Sequence, residues 1–259
     1  MDTIQEYKPL DIQTPVSLRT TLSGQRFLVL KDGKYQFPIG PLGYIPKSGL
    51  CFYDVLAPIV NNKKILDLGC GEMGIISLIS ILEGASQVTA IDIDERCLYW
   101  LNHLKTKFHF NNLEIFKSDM FQAVHKKFDV IVSNPPIMPM PEINEKNIHD
   151  SGGKDGRIYL NKIMKDALSY LNDNGQLYLS AFSFLGTDTP TGKQLSLKQY
   201  ALNLGYSSFD VVARKRKILS DNSLTYKQLP YIKTIYPYMK ISTYQNKPTT
   251  EFQILRLCK

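Results

Sequence analysis

The sequence predicts an α/β fold built on a doubly wound, Rossmann-like sheet. Three observations carry this prediction. From Lys63 onward, short apolar strands alternate with amphipathic helices, which is the pattern of a parallel sheet covered by helices. The turn after the first of these strands has the spacing GxGxxG, which is typical of a nucleotide-type ligand at a strand–helix junction. A chain of 259 residues with 43% hydrophobic content can bury one sizeable core.

Residues 1–60 are predicted as an N-terminal segment that precedes this sheet. Residues 1–25 are polar and are assigned no element. The stretch "RFLVLKDGKYQF" alternates about Asp32 and Gly33, which predicts a β-hairpin with a tight turn. After a connection rich in Gly and Pro, Ser48 is the predicted cap of a short helix over "GLCFYDVLAPIV".

Residues 61–259 are predicted as the α/β domain, with a Tyr/Lys-rich insertion before the last strand and residues 214–249 as a possible substrate lid. Hydrophobic periods of 2 and 3.6 residues distinguish its strands from its helices. The predicted elements, in order, are the strand "KILDLG", the helix "MGIISLISILEG", the strand "QVTAID", the helix "ERCLYWLNHLKTKF", the strands "LEIFKSD" and "FDVIVS", a helix with Ile163, Met164, Ala167, Leu168 and Leu171 on one face, the strand "GQLYLSAFSF", the helix "LSLKQYALNLG", and strands near 207–213 and 251–257.

The glycine-rich turn runs from Gly69 to Gly74, and Asp92 ends the next strand. On its own this pattern favours a dinucleotide cofactor. However, Asp67 and Glu72 flank the place where a pyrophosphate would lie, and two carboxylates beside a diphosphate are electrostatically unfavourable. S-adenosylmethionine, a zwitterion with a sulfonium cation, has the opposite preference.

A second motif follows the strand "FDVIVS", where the chain continues as Asn134, Pro135 and Pro136. Ligands bind at the carboxyl ends of the strands in a doubly wound sheet, where the strand order reverses. We expect that reversal between "KILDLG" and "FDVIVS", so Asn134 and the glycine turn should lie on opposite sides of one crevice. The prolines fix the chain direction around the amide. A nucleotide-dependent oxidoreductase has no role for this triplet and is the less favoured alternative.

Four segments, in order, resemble the motifs of class I S-adenosylmethionine-dependent methyltransferases: "ILDLGCGEMG", "VTAIDID", "FKSDMF" and "SNPPI". The last is similar to the NPPY-type motif of enzymes that methylate planar nitrogens, and "SGGKDGR" resembles the HemK-like branch. The resemblance spans residues 63–185 and implies S-adenosylmethionine as the cofactor. It implies catalytic roles for Asn134, Pro135 and Pro136, and cofactor binding by Asp67, Gly69, Cys70, Gly71, Gly74, Asp92, Ile93, Asp119, Met120 and Asn134.

The resemblance also implies individual roles for these residues. Asp92 is expected at the ribose diol, Asp119 near the adenine and Asp67 at the methionine end. A planar nitrogen is a poor nucleophile because its lone pair is delocalised, and positive charge grows on it as it is methylated. The Asn134 side-chain oxygen and the Pro135 carbonyl are expected to accept its N–H bonds, which orients the lone pair and stabilises the charge. No metal ion is expected.

Three classes of methyl acceptor remain open: a protein glutamine, a nucleic-acid base, and a small molecule with a planar nitrogen. A non-catalytic protein that keeps the cofactor pocket as a scaffold is an alternative of a different class. Two departures from the family concern the acceptor. Ile137 stands where the family most often has an aromatic residue, and residues 1–60 leave little room for the helical N-terminal domain of the HemK release-factor enzymes.

Basic residues concentrate near the C-terminus. Of the 31 Lys and Arg residues, ten lie from Val211 to Lys259, together with only two of the 24 acidic residues. The run "RKRK" begins at Arg214 and is followed by tyrosines among spaced lysines. Basic groups neutralise phosphates and tyrosines stack on bases, so a nucleic-acid contact is one prediction for this segment. A lid with packed tyrosines and solvated lysines is the other.

The four cysteines, Cys51, Cys70, Cys97 and Cys258, are scattered and form no CxxC pair. The N-terminus is polar and acidic and lacks the pattern of a signal peptide, and no run of about 18 apolar residues occurs. We therefore expect reduced thiols in a cytoplasmic protein with no membrane partner.

Overall fold

A computed structural model describes residues 16–31, 33–45, 48–142, 144, 148–191, 194–239 and 241–259. The strands are β1 Val16–Thr20, β2 Arg26–Leu30, β3 Tyr35–Pro38, β4 Lys64–Leu68, β5 Gln87–Asp92, β6 Leu113–Lys117, β7 Phe128–Ser133, β8 Leu171–Phe182, β9 Ser208–Ile218, β10 Ser242–Tyr244 and β11 Lys247–Cys258. The helices are α1 Tyr53–Leu56, α2 Ile75–Leu82, α3 Glu95–Phe108, α4 Ile158–Ala167, α5 Leu197–Leu204, α6 Leu224–Lys227 and α7 Leu229–Ile235, and 3-10 turns span Gly49–Phe52 and Ser183–Leu185.

The main sheet has the strand order β6-β5-β4-β7-β8-β11-β9, and β10 pairs with the first residues of β11. Strands β4 to β8 pair in parallel, whereas β11 is antiparallel to both β8 and β9. The order reverses at β4, which has β5 on one side and β7 on the other. The predicted doubly wound sheet and its predicted reversal point are therefore confirmed.

Local signals in the sequence explain where the helices begin and end. Asp94 caps α3 by accepting a hydrogen bond from the Arg96 N–H, and His109 ends it in the left-handed conformation. One face of α3 is buried against β5 and β6, and Ser196 opens α5 with a reciprocal capping box. No helix in the described part of the chain is long and apolar enough to cross a bilayer.

The N-terminal part forms a separate antiparallel sheet of order β1-β2-β3. The predicted hairpin is confirmed, with Leu28 paired to Phe37, although Asp32 lies outside the described residues. The sequence does not predict strand β1, because this segment is short and mostly polar. Leu28, Leu30 and Phe37 are fully buried and belong to the same core as the main sheet. The Phe37 ring meets the Phe108 ring edge-on, with centroids 4.7 Å apart, at the end of α3.

Two local predictions are wrong. Ser48 does not cap a helix, because its backbone already has helical angles and its side chain makes no cap bond, and the segment after it is a 3-10 turn followed by the single turn α1. The apolar face predicted through Leu171 also spans two elements. Helix α4 ends at Ala167 and Leu171 begins β8, because both elements bury apolar residues in one core and periodicity alone does not mark the boundary.

Candidate active site

The glycine-rich turn leaves β4 and leads into α2 with three glycines at positive φ. Gly69 has φ of 77°, Gly71 of 63° and Gly74 of 52°. A Cβ built on Gly69 or Gly71 meets no described atom within 4 Å, so the backbone there borders open space. A Cβ on Gly74 would lie 2.7 Å from Leu101 Cδ1, so Gly74 is needed for close packing of α3. The turn therefore combines an open ligand side with a tightly packed back.

Asp92 joins the glycine turn to the end of β5. Its Oδ2 accepts the Gly71 N–H at 2.9 Å and its Oδ1 accepts the Asp94 N–H at 2.9 Å. The next residue, Ile93, is 58% exposed although it is apolar. Such an exposed aliphatic side chain beside a carboxylate suits a ligand with a flat apolar ring and a polar sugar.

The segment after β6 lies beside Asp92, because the Ser118 N–H donates to the Asp92 carbonyl at 3.0 Å. Asp119 is exposed, and its Oδ2 accepts from Gln122 Nε2 at 3.3 Å. Met120 is half-buried and has φ of 52°, unusual for a residue with a side chain. The structure thus brings Asp92, Ile93, Asp119 and Met120, all expected to bind the cofactor, to one edge of the sheet.

Asp67 is buried inside the turn, with 1% of its surface exposed. Its Oδ2 accepts two hydrogen bonds from Ser77, from the N–H at 3.0 Å and from Oγ at 2.7 Å. Its Oδ1 is buried and has no hydrogen-bond partner within the described part of the chain. Burial raises the pKa of Asp67 to about 7, the Ser77 hydrogen bonds oppose this, and the charge of Asp92 adds to it. An unpartnered carboxylate oxygen of this kind suits a cationic ligand group.

Glu72, the second acid expected to flank the ligand, has a different role. It is 4% exposed, and its two oxygens accept the Leu42 N–H at 2.7 Å and the Gly43 N–H at 3.0 Å. Its carboxylate therefore bonds the backbone of the connection between β3 and the 3-10 turn at Gly49. Glu72 attaches that connection to the glycine turn, and Asp67 is the acid with a buried oxygen that no described group bonds.

Asn134 follows β7 and lies close to the glycine turn. The preceding residue, Ser133, donates its Oγ to the Leu68 carbonyl at 2.7 Å, which ties the end of β7 to the end of β4 directly before Gly69. Pro135 is buried and Pro136 half-buried behind the amide. The two motifs are 60 positions apart in the chain and adjacent in the fold, as the sequence predicts.

Two serines hold the Asn134 side chain from opposite directions. Its Nδ2 donates to Ser48 Oγ at 3.0 Å, and its Oδ1 accepts from Ser180 Oγ at 2.7 Å. Ser180 is fully buried in β8. Sequence reasoning misses both serines as site residues. The pattern around Ser48 indicates a helix cap instead, and the signal for Ser180 is a small polar residue at the apolar carboxyl end of the strand next to β7.

The chain after the two prolines is paired with the segment 150–153. The Met138 N–H donates to the Asp150 carbonyl and the Gly152 N–H to the Met138 carbonyl, each at 2.9 Å. Ile137 is 7% exposed, so in this structure it offers no open face to a flat substrate. Residues 137–140 are therefore packed against residues 150–153, and together they form a wall next to Asn134.

Two tyrosines contact the residues that follow this wall, Tyr231 from α7 and Tyr236 from the position directly after it. Tyr231 donates its hydroxyl to the Lys154 carbonyl at 3.1 Å, and Tyr236 donates to the Asp155 carbonyl. Tyr236 is 2% exposed, and its ring lies 5.9 Å from that of Phe184. These two tyrosines pack on the domain, whereas Tyr238 is 77% exposed.

The family model described as "Methyltransferase small domain" matches residues 51–214. The chain belongs to this methyltransferase family. Its relatives include a putative protein N5-glutamine methyltransferase of Methanocaldococcus jannaschii, which is 36% identical over 49% of this chain and 66% of the relative. The release factor glutamine methyltransferase of Streptococcus pneumoniae is 31% identical over 46% of each chain. The ribosomal RNA small subunit methyltransferase C of Haemophilus influenzae is 31% identical over 51% of this chain and 37% of the relative.

Each of these alignments spans less than two thirds of the relative's length. Solved structures share the fold. A T. thermophilus 16S rRNA N2 methyltransferase, solved with AdoMet and guanosine, has a TM-score of 0.51 at 14% identity, covering 94% of this chain and 50% of that one. The YcgJ protein from Bacillus has a TM-score of 0.54 at 10% identity, covering 82% and 97%.

Family membership confirms the methyltransferase fold, the HemK-like resemblance and S-adenosylmethionine as the cofactor. The observed residues fit this cofactor on structural grounds. The open backbone at Gly69 and Gly71 admits a close ligand, Asp67 offers an unpartnered oxygen for a cation, and Asp92 supplies a carboxylate at the strand end.

Proposed function

We propose that this protein is an N-methyltransferase that acts on a planar nitrogen, either an amide or an exocyclic amine. The observation that carries the proposal is the position of Asn134. Its amide lies at the end of β7 beside the cofactor turn, and hydrogen bonds to Ser48 and Ser180 hold it in one orientation. A protein that only binds the cofactor would not need the Asn134 side-chain amide to be held in one orientation.

The cofactor-binding residues divide by the part of the ligand they meet. Asp92 binds the ribose hydroxyls, and the backbone from Gly69 to Gly71, with Cys70 between them, lies along the ligand. The Asp67 oxygen that has no described partner faces the cationic methionine end. Ile93, Asp119 and Met120 lie at the adenine. Of the two remaining members of the set, Gly74 packs against α3 behind the turn and Asn134 acts on the acceptor nitrogen. When bound, S-adenosylmethionine supplies an electrophilic methyl group.

Asn134 and Pro135 act on the acceptor nitrogen. The amide oxygen of Asn134 has two lone pairs, and Ser180 occupies one of them. The other lone pair and the Pro135 carbonyl accept the two N–H bonds of the acceptor, which points the nitrogen lone pair towards the methyl group. The same two oxygens stabilise the positive charge that develops on the nitrogen. The methylated nitrogen then loses a proton to water, so no strong base is needed.

The relatives support a macromolecular acceptor. Those from M. jannaschii and S. pneumoniae are named as glutamine methyltransferases, and the one from H. influenzae as a ribosomal RNA methyltransferase. A glutamine amide and the exocyclic amine of a base are both planar nitrogens. The same site chemistry therefore serves either acceptor. The wall formed by residues 137–140 and 150–153 selects which acceptor can reach Asn134.

We also propose that the connection between β9 and β11 is a lid on the acceptor side. The sequence predicts this lid at residues 214–249, and in the structure β9 runs to Ile218 while β11 begins at Lys247. The connecting residues are therefore 219–246. Tyr231 and Tyr236 attach them to the loop that follows Asn134, which couples the lid to the acceptor amide.

Replacement of Asn134 by alanine tests the proposed function. We expect methyl transfer to fall on the order of a hundredfold or more, because the contact that orients and stabilises the nitrogen is lost. AdoMet affinity, measured by calorimetry, should stay unchanged. Transfer of labelled methyl groups into fractionated protein, RNA and small-molecule pools supplies the activity and identifies the acceptor.

Asn172→Ala is the matched control. Asn172 is also an amide with a side-chain partner, donating to Asp129 Oδ1 at 2.8 Å, but it lies near the start of β8, at the opposite edge of the sheet. Its variant should keep wild-type transfer. Near wild-type turnover by the Asn134→Ala variant would show that the planar-nitrogen mechanism is wrong.

A further inference from the structure

The basic run Arg214–Lys217 lies within strand β9 and not in the connection that follows it. Successive side chains of a strand point to opposite faces, so the run divides into two pairs. Arg214 forms an ion pair with Glu251 at 3.3 Å, and the Arg216 guanidinium lies 5.5 Å from the Tyr244 ring centroid. Both arginines therefore point to one face of the strand.

The two lysines point to the face of the sheet on which Ser180 bonds the Asn134 side chain. Lys215 pairs across the sheet with Phe252, which pairs with Phe182, and paired residues share a face. Ser180 lies two positions before Phe182, so it is on this face too, and it holds Asn134. Strand β9 runs parallel to β8, because both are antiparallel to β11. The lysines therefore lie at the carboxyl edge of the sheet, where the cofactor turn also lies.

The described contacts of each lysine place it beside the elements that hold Asn134. Lys215 Nζ lies 3.8 Å from Cys51 Sγ, three residues after the Ser48 that bonds Asn134. Burial raises the pKa of the Cys51 thiol although Lys215 lies beside it, so the thiol does not neutralise the lysine near pH 7. Lys217 Nζ lies 5.2 Å from the Phe182 ring centroid and 3.3 Å from Thr225 Oγ1.

We propose that Lys215 and Lys217 form a phosphate-binding subsite for an RNA acceptor whose target base is held at Asn134. This inference rests on the proposed function. A nucleotide has a planar nitrogen on its base and a negative charge on its backbone. The face with Asn134 offers a side-chain amide for the nitrogen and two cationic side chains for the phosphates. A glutamine side chain is neutral and has no use for such a pair. Phosphate contacts provide affinity and position the strand, and the amide selects the base.

The test compares RNA binding by the wild type and by the variant Lys215→Gln/Lys217→Gln across a range of salt concentrations. The probe is a fluorescent, mixed-sequence single-stranded RNA of roughly 20 nucleotides. Each phosphate contact contributes about 0.7 to the slope of log affinity against log salt for a single strand. The double variant should therefore lose about 1.4 from this slope and bind on the order of tenfold more weakly at moderate salt.

Arg216→Gln is the matched control, since it removes one exposed positive charge from the opposite face of the same strand. Its slope and affinity should stay close to the wild type. Lys217→Gln alone, at an exposed position, should lose about 0.7 from the slope and provides the comparison if the double variant unfolds. Methyl transfer into RNA by the lysine variants should show a raised KM with unchanged kcat.

Any of three binding results would overturn the phosphate subsite. They are the absence of RNA binding by the wild type at about 25 mM salt, an unchanged slope in the lysine variants, and an equal loss in the Arg216→Gln control. Asn134-dependent labelling of protein glutamine instead of RNA would also overturn it while leaving the proposed function intact. Turnover that does not depend on Asn134 would instead refute the proposed function.

Discussion

Replacing Ser180 with alanine tests whether its buried hydroxyl orients the Asn134 side-chain amide. Ser180 Oγ donates to Asn134 Oδ1 at 2.7 Å, and the side chain is fully buried in β8. The variant removes this bond, and Asn134 as a whole is half-buried rather than part of the closed core. We therefore expect a folded protein whose Asn134 side chain is less well oriented.

The size of the effect follows from the energy of one hydrogen bond. Such a bond contributes about 0.5–1.5 kcal/mol. If its loss appears wholly in the transition state, kcat falls about 2- to 13-fold, well short of the effect of Asn134→Ala. AdoMet affinity should not change, because Ser180 bonds the Asn134 side chain and not the glycine-rich turn. Ser180→Thr, which keeps the hydroxyl, should restore most of the rate if the added methyl group is accommodated.

Single-turnover methyl transfer, with calorimetry for AdoMet, measures these quantities. Ser80→Ala is the control, since Ser80 is also fully buried but donates to the Ile76 carbonyl inside α2. The decisive comparison is a double-mutant cycle. Once Asn134 is alanine, removing Ser180 should cost no further rate. An equal additional loss in the double variant would show that Ser180 acts independently of the amide and would refute this reasoning.

Four further predictions concern Asp92, Asp67 and Gly74. Asp92→Ala should weaken AdoMet binding by roughly 2–4 kcal/mol, because two charge-assisted bonds to the ribose are lost; unchanged affinity by calorimetry in a folded variant would contradict this. The pKa of Asp67 is raised to about 7, so the folded protein keeps a proton that the unfolded chain releases near pH 4. The free energy of unfolding without ligand should therefore fall as the pH rises from about 4 to about 7. A bound cation favours the carboxylate, so AdoMet affinity should rise between about pH 6 and 8 and become flat in Asp67→Asn, and a wild-type profile without this rise would exclude the role. Gly74→Ala should lower the free energy of unfolding by about 1–3 kcal/mol in urea titrations, because the new Cβ meets Leu101 and φ is positive; a neutral result would show that α3 yields easily.

Elements whose determinants are local were predictable from the sequence. The bounds of β5, α3 and β7 coincide with the predicted segments. In each case the hydrophobic period and the residues at the ends act within a few positions of one another, as Asp94 does for α3. The reversal of strand order, and with it the meeting of Asn134 and the glycine turn, follows from the alternation of elements in a parallel sheet. The assignment of individual ligand-binding roles remains a prediction.

Local sequence patterns and the family resemblance were enough to predict the fold class, the cofactor and the position of Asn134 beside the glycine-rich turn. The side chains that hold the Asn134 amide could not be predicted in this way, because Ser48 is 86 positions from Asn134 and Ser180 is 46 positions from it. The tertiary structure also directed Glu72 to the N-terminal connection and divided the basic run of β9 between two faces. These outcomes depend on how separate elements pack, and hydrogen bonds across such distances leave no periodic trace in the chain.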